Sequence, residues 1–481
     1  MRSFLYRLAG WIVAAAVLAL LAAGLVTWHK RREEIDPVSD EQKVARSLGI
    51  IRTSTPADRK VLKVLFYGQS ITASGWDKSV LEHWREKYPN TVFVEQNRAL
   101  GGFASPALER TTEQDIAAFY PDLIVFQVYG DHRAYERILR MFRSLTAADV
   151  ILQNDHGNEL PELPCAEGLQ LSLHRQPGCA GLLWVHQRVW EDEMSYHKIP
   201  SFAKQYGLAV EPQRLWWRDY LLRNRLPPQA LLIDHIHPNA AGKQLLADFF
   251  EQYFDNLVQH WNGETEHNVV SLPPNQPRTA DGQETIGFDG SRLELLSSQP
   301  LSAWPTVLVD GEAPRQIDGC YQVTRANLLP TGAWPVVRRI TLRHDRTAED
   351  WTATLTGISA DQSAFTFSVK GSVTGDDGAG DSTHDFVSKS GELSIQAEDW
   401  MPQRAFELTH TPLPDPYPVH WSVQYVCGGE PEAIDLGGGR MQYRYVLATG
   451  LVNGAHTVKL SFAANTLAKV TEFRAYRPPL H

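Results

Sequence analysis

At 481 residues the chain is too long for one ordinary hydrophobic core, and 43% hydrophobic with 21% charged residues is a globular composition with no low-complexity block. The formal net charge is −10 and no basic run is longer than Lys30-Arg31-Arg32, so the cationic footprint that nucleic acid requires is missing. Tryptophan is plentiful, with 14 copies, and serves either as a core residue or as a face for stacking on sugars.

Leu8 to Trp28 is an almost unbroken apolar run. About 21 residues rising about 1.5 Å each span roughly 30 Å, one bilayer core. Residues 1–29 therefore read as an N-terminal transmembrane signal-anchor, uncleaved, although the small residues Ala22, Ala23 and Gly24 leave cleavage open. Two signals disagree on orientation. Arg2 and Arg7 precede the run and Lys30, Arg31 and Arg32 follow it, which favours a cytoplasmic body. The cysteines point outward: Cys165 and Cys179 flank one short insertion, Cys320 and Cys427 share the C-terminal region, and no CxxC pair suggests zinc. One pair per region is expected of disulfides in an oxidising compartment. The body is accordingly placed on the periplasmic or extracellular side of a membrane.

Residues 30–60 form a charged connector. A βα alternation fills residues 61–260. Val61 to Tyr67, Thr91 to Gln96, Asp122 to Tyr129, Asp149 to Gln153 and Leu208 to Pro212 read as strands. Lys78 to Tyr88, a segment around Asp115 to Ala118, Ala134 to Leu145, Trp190 to Tyr206 and a closing Pro238 to Val258 read as helices. Gly157 to Gly181 interrupts the pattern as a surface insertion. This alternation predicts a parallel sheet between two helical layers, an α/β/α domain. Residues 261–285 are polar and rich in Pro and Gly, as a linker is. Residues 286–481 alternate apolar and polar in short runs such as Trp351 to Leu355, Ala364 to Val369, Tyr443 to Ala448 and His456 to Phe462. Turn signals at Asp376-Asp377-Gly378, Gly437-Gly438-Gly439 and Asn453-Gly454 separate them, predicting an all-β sandwich.

Four blocks carry chemistry. Ser70, in Gly68-Gln69-Ser70-Ile71-Thr72, follows the first strand, where ligands of open α/β sheets bind. Its backbone N–H, at a helix start, can face an oxyanion; a plain N-cap serine is the alternative. Asp234-His235-Ile236-His237-Pro238 precedes the last helix. A carboxylate three residues before an imidazole can hold its tautomer while the other nitrogen takes a proton; capping of that helix is the alternative. Asn97 to Gly102 follows the second strand, where a glycine lets backbone approach a substrate, and Gly130-Asp131-His132 follows the third.

In this order, the blocks resemble those of the SGNH (GDSL-like) hydrolase family over about Val61 to Phe254, the strongest being Asp234-x-x-His237-Pro238 followed by Asn239-Ala240-Ala241-Gly242. The resemblance implies a serine esterase of three-layer fold, with Ser70 as nucleophile, His237 as base and Asp234 as its orienter. It makes the Ser70 and Gly102 N–H groups oxyanion donors, and it needs no metal and no organic cofactor. Two departures stand out. The usual Gly-Asp-Ser is Gly68-Gln69-Ser70, which resembles some carbohydrate acetylesterases. His132 falls where an oxyanion asparagine is expected, with Asn154, after the fourth strand, as a second candidate donor. The expected substrate is an O-acylated, foremost O-acetylated, glycan, on the strength of the placement, of Trp184, Trp190, Trp216 and Trp217, and of related esterases. Rival readings are a lipase or thioesterase near the bilayer, and a silent binding scaffold.

Overall fold

A computed structural model describes residues 39–158, 191–263, 267–274, 283–330, 334–343, 346–462 and 469–480. The apolar run Leu8 to Trp28, Cys165, Cys179, Trp184 and Trp190 lie outside them, and among the described residues no helix is long and apolar enough to cross a membrane.

The apolar run after Lys60 becomes β1 (Lys60–Gly68), buried from Val61 onward. It is joined by β2 (Thr91–Asn97), β3 (Leu123–Gln127), β4 (Asp149–Gln153) and β5 (Ala209–Glu211) in one sheet of order β2-β1-β3-β4-β5. Every neighbouring pair in it is parallel. Predominantly apolar strands suit such a sheet because both faces are covered. The helices are α1 (Ala45–Thr53), α2 (Asp77–Lys87), α3 (Ser105–Phe119), α4 (His132–Leu145), α5 (Ile199–Tyr206), α6 (Gln213–Asn224) and α7 (Ala240–His260). On one face Trp84 of α2 packs on Phe250 and Phe254 of α7. On the other, Phe126 of β3 packs on Tyr135 and Phe142 of α4. The predicted three layers are present. The sheet reverses direction of growth between β1 and β3, and that reversal is where ligands of such sheets bind.

Three expectations change here. The connector is not loose from Asp40 on: a turn at Asp40–Lys43 leads into α1, and Val44, Leu48 and Ile51 are buried against the sheet. Helix α7 begins at Ala240 rather than Pro238, because Asn239 is its N-cap and accepts from the Gly242 amide at 3.0 Å. Helix α6, unassigned from the sequence, buries Trp217 and Leu221.

The β-rich half contains antiparallel sheets, as expected, but in two packed pairs. The first pair unites β6 (Val269–Leu272), β8 (Arg292–Ser297), β18 (Glu432–Gly437), β19 (Arg440–Ala448) and β21 (Val470–Tyr476) in one sheet. Its partner sheet is β7 (Gln283–Gly290), β9 (Thr306–Val309) and β20 (Gly454–Ser461). Both contribute to a single core around Leu293, Leu447, Val458 and Phe473. Strand β6 thus occupies part of the predicted linker. The second pair is an insert: β10 (Tyr321–Val323), β12 (Glu349–Thr356), β13 (Thr366–Gly371), β14 (Gly375–Asp381) and β17 (Tyr417–Tyr425), faced by β11 (Thr341–Leu342), β15 (Phe386–Val387) and β16 (Leu393–Ile395). The predicted Cys320–Cys427 disulfide is formed, with one cysteine just before β10 and the other just after β17, so it closes the neck of the insert. Asp376-Asp377-Gly378 is not a turn but lies inside β14, where the Asp377 carboxylate accepts from the Ser390 amide and hydroxyl. Gly438 and Gly439 do make a turn, directly after Gly437 ends β18, and all three are at positive φ.

Both β units press on the α/β unit. The first does so with buried charge: Lys63 pairs with Glu432 at 2.7 Å, while Glu294 sits between Arg444 at 2.9 Å and Arg292 at 2.7 Å. The Arg292 guanidinium in turn lies 4.0 Å from the centroid of Tyr120. The insert holds α3, through Arg110 to Asp399 and through Arg325 to Asp115 at 2.6 Å.

Candidate active site

The serine is placed by a glycine that nothing else can replace. A Cβ on Gly68 would lie 2.0 Å from the Gln127 carbonyl oxygen and 2.6 Å from Thr72 Oγ1, so β1 ends there and the chain turns. Ser70 then leads into a short 3-10 turn, Thr72–Ser74, and not directly into the α-helix, which starts only at Asp77.

The histidine loop is fixed from three sides. The Ile233 amide donates to the His237 carbonyl at 2.8 Å, and the Asn239 amide donates to the Leu231 carbonyl at 2.9 Å. Beneath them Gly242 allows close approach, since a Cβ there would meet the Leu231 oxygen at 2.2 Å. Asp234 Oδ1 accepts from the Ile236 and His237 amides, each at 2.7 Å. Its Oδ2 accepts from His237 Nδ1 at 2.8 Å. That hydrogen bond puts the ring proton on Nδ1 and leaves Nε2 to accept from the Ser70 hydroxyl, at 3.0 Å. Partial burial alone would raise the Asp234 pKa, but the three N–H donors outweigh it and hold the carboxyl well below its ordinary range. Asp234 is not the helix cap; Asn239 is, so the carboxylate is left to the imidazole. His235 is exposed.

The Gly102 loop also reaches this point. Leu100 to Phe103 is a turn closed by the Phe103 amide on the Leu100 carbonyl at 3.1 Å, with Gly102 at φ 78°. The Leu100 amide donates to the Gly68 carbonyl at 2.9 Å, and the Cβ position of Gly101 is 3.7 Å from Ser70 Cβ. Asn97 ties the two loops by donating to the Thr72 carbonyl at 2.9 Å.

The two remaining donor candidates have other surroundings. His132 opens α4 behind its cap Asp131, and burial first, then Lys198, lowers its pKa, so its ring is neutral at pH 7. Asn154 is buried and donates to the Ser195 carbonyl at 3.1 Å, joining β4 to the turn at Met194–Lys198. Trp217 is fully buried and Trp216 packs edge-on against Phe249, so neither reads as a free sugar platform.

One site residue escaped the sequence reading. His156 is buried three residues past β4, packs at a tilt against Trp217 with centroids 4.9 Å apart, and donates from Nε2 to the Ile236 carbonyl at 2.8 Å, bracing the histidine loop. Burial foremost pushes its pKa down to about 4, so it is neutral. The only hint in the sequence is its place at the carboxyl end of a strand.

No family model and no curated protein matches the chain. Solved structures to which the chain is similar include an acetylxylan esterase from Geobacillus stearothermophilus, with 19% identity over 40% of this chain and 93% of that one at a TM-score of 0.32. Another is a two-domain esterase active on acetylated mannans, with 13% identity over 87% of this chain and 92% of that one at a TM-score of 0.30. The order of blocks at the strand ends is similar to that of SGNH hydrolases.

Proposed function

We propose that the chain is a serine esterase that removes acyl groups, acetyl foremost, from an O-acylated glycan. The observation that carries the reading is the unbroken relay from Ser70 Oγ to His237 Nε2 at 3.0 Å and from His237 Nδ1 to Asp234 at 2.8 Å. As Ser70 Oγ bonds to the ester carbonyl carbon, its proton passes to His237 Nε2 and the carbonyl π electrons move to oxygen. The oxyanion is received by the Ser70 and Gly102 N–H groups. When the tetrahedral adduct collapses, the carbon–oxygen bond to the sugar breaks and His237 returns the proton to the departing hydroxyl. Water, deprotonated by the same imidazole, then releases the acid and restores Ser70. Asp234 stays ionised throughout, compensating the imidazolium.

The glycan half of the proposal is supported by placement. The Cys320–Cys427 disulfide suits an oxidising compartment. The apolar run Leu8 to Trp28 would tether the body to a membrane, with the enzyme on its periplasmic or extracellular side beside envelope polysaccharide. The test is to treat the full-length, natively exported protein with a serine-directed fluorophosphonate, map the adduct, and compare acetylated oligosaccharides with long-chain acyl esters. Labelling at Ser70 and preference for the acetylated sugar are expected. An adduct elsewhere would refute the mechanism, and preference for long acyl chains would refute the substrate class.

A further inference from the structure

The loop that carries Gly102 is held from outside its own unit. Trp334, from the insert, is buried against it: the indole N–H donates to the Gly101 carbonyl at 2.5 Å. Its ring meets Phe103 edge-on at 5.5 Å, and a Cβ on Gly102 would strike it at 2.9 Å. Arg325, also from the insert, donates to the Arg98 carbonyl at 3.2 Å while its guanidinium pairs with Asp115. Both ends of the segment from Arg98 to Phe103 are therefore gripped by residues more than 220 positions later in the chain.

The chemistry of that grip matters because of which carbonyl is held. Gly101 C=O and Gly102 N–H belong to one planar trans peptide, so they point in opposite directions and rotate together. Turning this plane over costs little in a Gly-Gly pair, which tolerates both φ signs. A flipped plane would point the carbonyl where the N–H had been and present a negative atom to an oxyanion. Anchoring the oxygen on the insert side fixes the opposite face of the plane, and the neighbouring Gly101 already abuts Ser70.

We infer that Trp334 is a positioning residue for acyl transfer: it locks the Gly101–Gly102 peptide in the orientation that donates to the oxyanion, which makes the insert a working part of the esterase site. This rests on the serine-esterase reading above. Because the oxyanion is absent from the bound ester and forms only as the carbonyl is attacked, in the tetrahedral adduct and the transition states around it, loss of the lock lowers kcat and leaves KM near its starting value. Removing a whole oxyanion donor costs about 10²–10³-fold in kcat, which sets the upper bound for unlocking one.

The test uses full-length wild type, Ser70→Ala, Trp334→Phe and Arg325→Ala on a soluble acetyl ester, with active sites counted by end-point fluorophosphonate titration and folding followed by Tm. Trp334→Phe keeps a ring against Phe103 and Gly102 but deletes the N–H. The expected result is a fall of about 10-fold or more in kcat per titrated site, with KM and Tm close to wild type, and slower phosphonylation to the same end point. Arg325→Ala, which frees the other end of the segment, should lower kcat per titrated site in the same direction and should also lower Tm, because the buried Asp115 loses its paired guanidinium. Trp334→Phe within about twofold of wild-type kcat per site would overturn the inference while leaving the esterase intact. So would activity that falls only in step with Tm and titratable sites, since that marks packing alone. If wild type neither hydrolyses the ester nor takes the label at Ser70, the esterase reading itself falls.

Discussion

The first sandwich meets the α/β unit near the amino-terminal ends of β1 and β3 with buried charge, whereas the insert meets α3 and the loop that ends beside Ser70. At the first seam, the Lys63–Glu432 pair crosses between the units and the Arg444–Glu294–Arg292 cluster backs it from within the sandwich, all sealed from solvent except at Glu432. At the second, Trp334 and Arg325 hold backbone carbonyls of the Gly102 loop. Buried ion pairs fix a relative placement, because removing one member strands the other in a medium that cannot solvate it. Hydrogen bonds to loop carbonyls fix the direction of individual peptide planes. The first kind of contact bears on stability and the second on rate, so one chain has separable handles for each.

The separation is broken most sharply at the relay itself. Asp234→Asn keeps size and removes charge, and turnover should fall on the order of 10⁴-fold, as in the best-studied serine triad. Tm should hardly move, because Asp234 is nearly half exposed and the α7 cap belongs to Asn239. Steady-state kinetics beside thermal melts decide it; unchanged turnover would make Asp234 a mere loop brace. The converse experiment is Glu294→Gln at the charged seam. Its carboxyl is held far below the ordinary range because Arg444 and Arg292 overcome the effect of burial. Neutralising it leaves two arginines facing each other and should cost about 3–5 kcal/mol in urea unfolding, with kcat per active site unchanged. A loss of kcat without a loss of stability would show that the two seams are not separable.

A third experiment sharpens the contrast at the neck of the insert. Cys320→Ser together with Cys427→Ser opens a loop of 107 residues and should cost about 2–4 kcal/mol. If the insert orients the Gly102 loop, kcat per site should also fall modestly in this variant, which it should not in Glu294→Gln.

Much of the α/β unit and the relay could be read from the sequence, and the reason is locality. Apart from Lys63, Val61 to Tyr67 is apolar at both parities, which only a strand covered on both faces can use, and it is strand β1. Asp234 and His237 are three residues apart on one turn, so their contact needs no knowledge of the rest of the fold. What escaped depends on long-range pairing. Strand β8 lies between β19 and β21, some 150 to 180 residues later by their numbering, and the insert sits between these partners. Alternating runs look alike in both sandwiches, so the pattern shows strands without showing that there are two pairs of sheets. Asp376-Asp377-Gly378 has turn chemistry, yet Ser390 satisfies Asp377 and the segment continues as strand. Trp334 and Gly101 are separated by 233 positions, and no local rule brings an indole to a particular carbonyl.

The smallest expected effect on turnover lies in the α/β unit, behind the histidine loop, and separates bracing from catalysis by its pH dependence. Burial holds His156 neutral, with a pKa of about 4, against about 6.5 in an unfolded chain. Above pH 6.5 neither state binds the proton and the stabilising contact with Ile236 is fully present. As pH falls from about 6.5 toward 4, the unfolded state binds a proton that the folded state refuses, and stability declines by up to about 1.4 kcal/mol per pH unit. Glu211 on β5 runs the other way. Burial pushes it up to about 8, so its contribution is fully present below about 4.3 and is lost as pH rises toward 8. Urea midpoints measured from pH 4 to 9 should therefore flatten on the acid side in His156→Gln, whose amide can still donate to the Ile236 carbonyl. In Glu211→Gln the decline between about pH 4.3 and 8 should disappear. Turnover per active site in His156→Gln should stay close to wild type at pH 7, because a hydrogen-bond donor remains in place and the reacting atoms are untouched. An unchanged acid slope in that variant would mean that His156 is not the group resisting protonation, and a collapse of turnover at pH 7 would move it from a brace into the chemistry.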